Sequence, residues 1–222
     1  MKRLQRGVLV WSLALIAAPA IQAQEWELLF DGKSLAGWTT SAGKAIESGW
    51  EIKDGALHRH GKGGDIVSAR EFLDFELEFE WRVAPEANSG LKYRVADYSP
   101  VGKNIGVEYQ LLDDSSHADG KSGMTATASI YALVPSSPAK KLQPVGEWNR
   151  GKVVAVGERL EHWLNGEKVA AITMGNAEWK EALANSKFRA APDFGVKKGR
   201  ILLQDHGGEV WFRNLRILKM AR

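Results

Sequence analysis

The chain has 222 residues, with 30 Lys+Arg against 27 Asp+Glu, no cysteine and nine tryptophans. Without cysteine there are no disulfides and no lipid-modified cysteine anchor, and a chain of this length buries a self-sufficient core without them. Lys2, Arg3 and Arg6 carry the whole excess of positive charge, so without them the 30 falls to 27 against 27, and net charge gives no support to a nucleic-acid or anionic-membrane partner.

Residues 1–23 combine those three cations with an apolar run from Val8 to Ala18 and small residues near Ala23. This is the pattern of a secretory signal peptide. The competing reading, an uncleaved anchor, needs about 20 apolar residues, more than the run supplies. The expectation is cleavage after Ala23 and a secreted or periplasmic protein, free of the membrane, made of one domain over 24–222.

From there the dominant period is two. "WEIKDGALH" reads as two short strands about an Asp54-Gly55 turn, and "FELEFEWRV" (75–83) alternates Phe75, Leu77, Phe79, Trp81 and Val83 with Glu76, Glu78, Glu80 and Arg82, the signature of a strand with one apolar face. "GLKYRVA", "GVEYQLL", "ASIYALV", "KVVAVGE", "LEHWLNGEKVAAI" with its Asn165-Gly166 turn, "GRILLQDH" and "VWFRNLRIL" continue the series. Only 176–188 reads as helical. Many short antiparallel strands in one domain predict an all-β sandwich of two packed sheets, a jelly roll. Most of the tryptophans are expected between the sheets, with one or two on a ligand surface.

If the apolar side of 75–83 is core, Glu80 and Arg82 face away from it. Arg94, Glu108 and Gln110 are expected to join them on adjacent strands, with Arg94 opposite Glu108 and holding that acid ionised. A solvated strand face with charges paired across the sheet is the competing reading. In "LQDHGG", Gln204 and His206 share one side of a strand ending in a Gly207-Gly208 turn, where backbone approaches a ligand closely; a histidine that only satisfies turn carbonyls is the alternative for His206. "DDSSHADG" supplies Asp113, Asp114, His117 and Asp119, an oxygen-rich loop with a His-x-Asp step, so a divalent metal ion is a candidate cofactor, weighed against a solvated turn. Asp65, Asn88, Tyr93 and Tyr131 are further candidate sugar contacts, each with a plain turn or packing role as its alternative. Phe212 reads as core, Asn214 as structural, and Arg213 as either structural or a groove contact.

"ELLFDGKSLAGWTT", "WEIKDGALH", "FELEFEWRVAPEANSGLKYR", "GVEYQLLDD", "IYALVP", "GEWN", "HWLNG" and "LQDHGGEVWFRNLRIL" follow one another in the order seen in the 3-keto-disaccharide hydrolase family, which this chain resembles over nearly all of 24–222. The resemblance implies a concanavalin A-like jelly roll of two curved antiparallel sheets with its ligand site on the concave face. It also implies action on glycosides oxidised to a ketone at carbon 3, and an upstream sugar 3-oxidoreductase that makes them. Glycosidases on related jelly rolls alternate two acids along one strand, whereas here the residue two after Glu108 is Gln110. A single acid and base suit an elimination. On that reading either Glu108 or His206 is the base and the other the acid toward the leaving oxygen, and Arg94 or a metal stabilises the enolate; Glu80, Asn88, Tyr93, Gln110, Asp113, Tyr131, Gln204 and Asp65 contact substrate. A noncatalytic, lectin-like carbohydrate-binding module is the alternative, and an adhesion domain a weaker third.

Overall fold

Alternation of apolar and polar side chains becomes strand after strand in the computed structural model, which describes residues 25–220. The expected signal segment, 1–23, lies outside them. In chain order the elements are β1 (Glu27–Leu28), β2 (Trp38–Thr40), β3 (Trp50–Lys53), β4 (Ala56–Arg59), β5 (Ile66–Phe72), β6 (Phe75–Val83), β7 (Asn88–Tyr98), β8 (Gly102–Leu112), β9 (Asn149–Val156), β10 (Arg159–Leu164), β11 (Glu167–Thr173), helix α1 (Ala177–Ala184), β12 (Gly199–Leu203) and β13 (Val210–Lys219). They form two antiparallel sheets. One has eight strands, ordered β11-β10-β9-β6-β13-β4-β3 with β1 also on β13, and the other five, ordered β2-β5-β12-β7-β8.

The expected two-sheet sandwich is therefore the observed fold, and its core follows from period two. β6 points Leu77, Phe79 and Trp81 inward, β7 Leu91 and Tyr93, β8 Val107, Tyr109 and Leu111, and β12 Ile201 and Leu203, all in one buried cluster that also includes Phe212. Phe79 and Tyr109 meet edge to face across the layer, with centroids 5.2 Å apart, and each fully buried large apolar side chain contributes roughly 1.5–3 kcal/mol. The helix starts where Asn176 accepts a hydrogen bond from the Trp179 N–H at 2.7 Å, an N-cap that satisfies an otherwise orphaned donor.

Three sequence expectations change. "ASIYALV" is not a strand but a turning segment that makes isolated bridges, Tyr109 with Ile130 and Ile130 with Val134; Ala128 and Ala132 have φ of 63° and 60°, which interrupts extended backbone. "GRILLQDH" leaves the sheet after Leu203, so Gln204, Asp205 and His206 belong to a loop. The eight tryptophans among the described residues divide evenly: Trp38, Trp50, Trp81 and Trp179 are buried, while Trp26, Trp148, Trp163 and Trp211 are half-buried. Each of the second group lies under a cation: Arg216 over Trp26, Arg213 over Trp148, Lys168 over Trp163 and Arg82 over Trp211.

Candidate active site

The face of the five-stranded sheet turned away from the core carries the polar constellation around Glu108. With Leu91 and Tyr93 in the core, the alternation of β7 sends Asn88, Gly90 and Lys92 to the other face. Lys92 lies directly opposite Glu108, and Gly90 opposite Gln110. On the other side β12 sets Leu202 opposite Lys92, and the Gln204 N–H donates to the Gly90 carbonyl at 2.9 Å. Glycine at position 90 gives the Glu108 carboxylate its place, since a methyl there would overlap Oε1 of Glu108 and stand within 3.0 Å of its Cδ.

Glu108 is 6 % exposed, and its ion-pair partner is the Lys92 ammonium at 3.8 Å. Burial pushes its pKa above the ordinary carboxylate value, while Lys92, Lys187 and His206 pull it back and Asp65 adds to the rise. Lys187 responds in kind: burial pushes its pKa down, the Glu108 charge opposes that, and Lys92 pushes it further down. The Lys187 ammonium sits 4.4 Å from the Tyr131 ring centroid, a cation–π contact that fixes both side chains at this edge. Burial and the negative charges of Asp119 and Glu108 raise the Tyr131 pKa. The buried amide oxygens of Asn88 and Gln110 have no hydrogen-bond partner among the described residues, which leaves two acceptors beside Glu108 available to a ligand's donors.

A strap runs along the free edge of β8 and completes the site. Ala128 N–H donates to the Gln110 carbonyl at 2.8 Å and Tyr131 N–H to the Glu108 carbonyl at 3.1 Å. Beneath the strap, fully buried His162 contacts the Ala128 and Ser129 carbonyls through Nδ1 at 3.2 and 3.1 Å and the Tyr93 hydroxyl through Nε2 at 3.1 Å. Carbonyls only accept, so Nδ1 carries the proton and Nε2 accepts from Tyr93. Burial lowers the His162 pKa to about 3, and the ring is a neutral structural support.

Several expected contacts lie elsewhere. Arg94 is not opposite Glu108. The register of β7 on β8 shifts between Tyr93 and Ala96, Arg94 has φ of 52°, and the bulge breaks the alternation that the counting assumed. Its guanidinium is buried against the carbonyls of Leu73, Gly195 and Gly157 at 2.9, 2.9 and 3.1 Å and the Asp74 carboxylate at 3.5 Å, so it is structural and neither stabilises an enolate nor holds Glu108 ionised. Glu80 and Arg82 belong to β6 in the other sheet, where Glu80 pairs with Arg213 at 2.7 Å and Arg150 at 3.8 Å. That also assigns Arg213 to a structural pair. Tyr93 is core, with no face open to a sugar.

Asp113 is a loop staple. Burial raises its pKa, but hydrogen bonds from the Ser115 hydroxyl and from the N–H groups of Glu86, Ser115 and Ser116 outweigh that and hold it at about 2. Asp114 accepts from Thr127 N–H at 2.9 Å and pairs with Lys140 at 2.7 Å. With both carboxylates engaged, the loop leaves His117 and Asp119, each 3.4 Å from the Asn88 amide nitrogen. No group of three or more His, Cys, Asp or Glu side chains among the described residues is arranged to hold a metal ion, so this donor set does not fit the metal that the loop's composition brought to mind. Asp65 accepts from Asp205 N–H at 2.9 Å, at the edge of the same face.

Residues 25–218 match the family model of the 3-keto-alpha-glucoside-1,2-lyase-like domain. The chain belongs to that family. Among relatives of this lyase-like domain, a 3-keto-disaccharide hydrolase of Bacteroides thetaiotaomicron is 31% identical over 89% of this chain and 79% of its own length. A crystal structure of a Parabacteroides distasonis protein with a provisional glycosyl hydrolase description superposes with a TM-score of 0.79 at 32% identity, covering 88% of this chain and 94% of that one. A Bacillus subtilis protein with a galectin-like fold superposes with a TM-score of 0.52 at 13% identity over 83% and 90% of the two chains, which shows the fold alone and agrees with the concanavalin-like sandwich expected from the sequence. Within the lyase-like domain, the sequence pattern located Glu108, Gln110, Gln204, Asn88 and Tyr131 on or beside one face. It missed Lys92, which alternation with Gly90 marks, and Lys187, which stands far along the chain in a loop after α1 with no local signature.

Proposed function

We propose that this protein cleaves the glycosidic bond of 3-keto-glycosides by elimination and hydration. A ketone at carbon 3 acidifies the hydrogen on carbon 2. Glu108 takes that proton, and the electron pair moves into the carbonyl to give an enolate facing the ammonium groups of Lys92 and Lys187, which take the part first assigned to Arg94. Collapse of the enolate breaks the bond from carbon 1 to the aglycone oxygen, which His206 protonates as it leaves. Water then adds at carbon 1 of the resulting enone, a proton returns to carbon 2, and the sum is hydrolysis.

The observation that carries this reading is the Glu108 carboxyl, buried beside two lysines and held above the ordinary carboxylate pKa. A base working near neutral pH needs a raised pKa, whereas a lectin-like surface has no use for one. The amide at Gln110 stands where an alternating pair of catalytic acids would put the second carboxylate, so double displacement through a glycosyl-enzyme finds no partner on that strand. Export to the periplasm or beyond is part of the same proposal and rests on the signal-peptide pattern of 1–23.

Incubating the purified protein with a 3-keto-glucoside and, in parallel, with the unoxidised glucoside tests the substrate class. Release of aglycone is expected from the ketone alone. Comparable cleavage of the unoxidised sugar contradicts the proposal.

A further inference from the structure

His206 makes no side-chain hydrogen bond among the described residues, and its ring is exposed on the loop after β12. Its orientation must come from the backbone on either side, and that backbone is gripped by one residue from the other sheet. Alternation along β4 puts Arg59 on the same side as the core residue Leu57, so its side chain enters the end of the sandwich, where it is 5 % exposed. There Nη2 meets Asp205 Oδ1 at 2.7 Å, and Nη1 donates to the carbonyls of Gly207 at 2.7 Å and Gly208 at 3.0 Å. These contacts bracket position 206. Asp205 is tied down further: its Oδ2 accepts from the N–H groups of Gly63 and Gly64 at 3.1 and 2.8 Å, and its own N–H donates to Asp65 at 2.9 Å. Burial pushes the Asp205 pKa up, but the two glycine N–H groups and the Arg59 charge outweigh that, so the carboxylate stays ionised for its partner.

We propose that Arg59 is a positioning residue for His206: its guanidinium spans the two sheets, holds Asp205, Gly207 and Gly208 in one geometry, and so fixes where the imidazole stands relative to Glu108. A planar fork satisfies a carboxylate and two carbonyls at once, which a lysine ammonium on a flexible stem does not reproduce. The inference rests on the reading of His206 as the acid toward the leaving oxygen. Loss of the clamp costs proton delivery in the transition state and little ground-state binding, so it falls on kcat rather than KM.

The test is a double-mutant cycle on the purified protein with a 3-keto-glucoside. Arg59→Gln is expected to lower kcat about 10-fold with KM nearly unchanged, because small displacements of a catalytic group cost up to about 10²-fold in rate. In a His206→Ala background the same substitution is expected to do almost nothing, since the group it positions is gone. Arg59→Lys is expected to rescue little. Where Arg59→Gln does not fold, Asp205→Asn closes the same cycle from the other end of the contact. Equal fold-losses in both backgrounds overturn the proposal, because a purely structural role lowers both alike. His206→Ala at the full wild-type rate overturns it as well while leaving Glu108 as the base; failure of that assignment shows separately, as a fully active Glu108→Gln enzyme.

Discussion

Glu108→Gln is expected to lower kcat on a 3-keto-glycoside by about 10³-fold, within the range that removal of a general base produces, with the fold retained. Glutamine matches the shape of the side chain but cannot accept the carbon-2 proton. The stability effect has a sign of its own. Because burial raises the Glu108 pKa in the folded protein, the folded state binds that proton more tightly than the unfolded chain does. The group therefore adds stability that is fully present below its ordinary value of 4.5 and is lost as pH rises through the elevated folded pKa. Glutamine has no charge to bury, so at pH 7 the variant should melt at the same temperature as wild type or higher, with the difference closing toward pH 4. Activity of the wild-type enzyme should climb with pH through that same elevated value. An inactive variant that is also markedly less stable at pH 7 would point to a structural carboxylate instead.

Gly90→Ala is expected to cost about 10²-fold in kcat/KM, the scale on which an ångström of misplacement is felt. The backbone at this position takes an ordinary strand conformation, and alanine in a strand interior is by itself about 0.5–1 kcal/mol more favourable than glycine. The added methyl, however, would overlap Oε1 of Glu108, so the carboxylate must swing away from its place beside Lys92. Kinetics and a melting curve on the single variant, repeated in a Glu108→Ala background, separate the two effects. There the methyl meets no carboxylate, and activity should fall no further. Wild-type kcat/KM in Gly90→Ala would mean that the position of the Glu108 carboxylate over residue 90 does not matter to turnover.

The contrast between Glu108 and Arg94 shows where sequence reading succeeds. Strands whose alternation is unbroken were legible to the residue: β6 spans 75–83 as its pattern predicts, and β8 presents Glu108 and Gln110 together. The Asn165-Gly166 turn joins β10 to β11, and α1 falls within the 176–188 stretch that reads as helical. Arg94 failed because a bulge is a one-residue slip that turns a side chain to the other face without changing composition. Glu80 failed for a different reason. Its own strand was read correctly, but alternation says nothing about which sheet a strand joins, and β6 and β8 fall in different sheets. Lys187, Arg59 and Asp205 act through tertiary contacts between segments far apart in the chain, for which local pattern carries no signal.

Deuterium incorporation during turnover tests the elimination most directly. If Glu108 removes the carbon-2 hydrogen, hydration of the enone returns a proton from the site or the solvent, whereas direct displacement at carbon 1 leaves that hydrogen untouched. The reaction is run in deuterium oxide, stopped at times short enough to exclude background exchange of the free ketone, and the released 3-keto sugar is examined by NMR or mass spectrometry. Enzyme-dependent deuterium at carbon 2 is the predicted result; released sugar that keeps its original hydrogen there contradicts it.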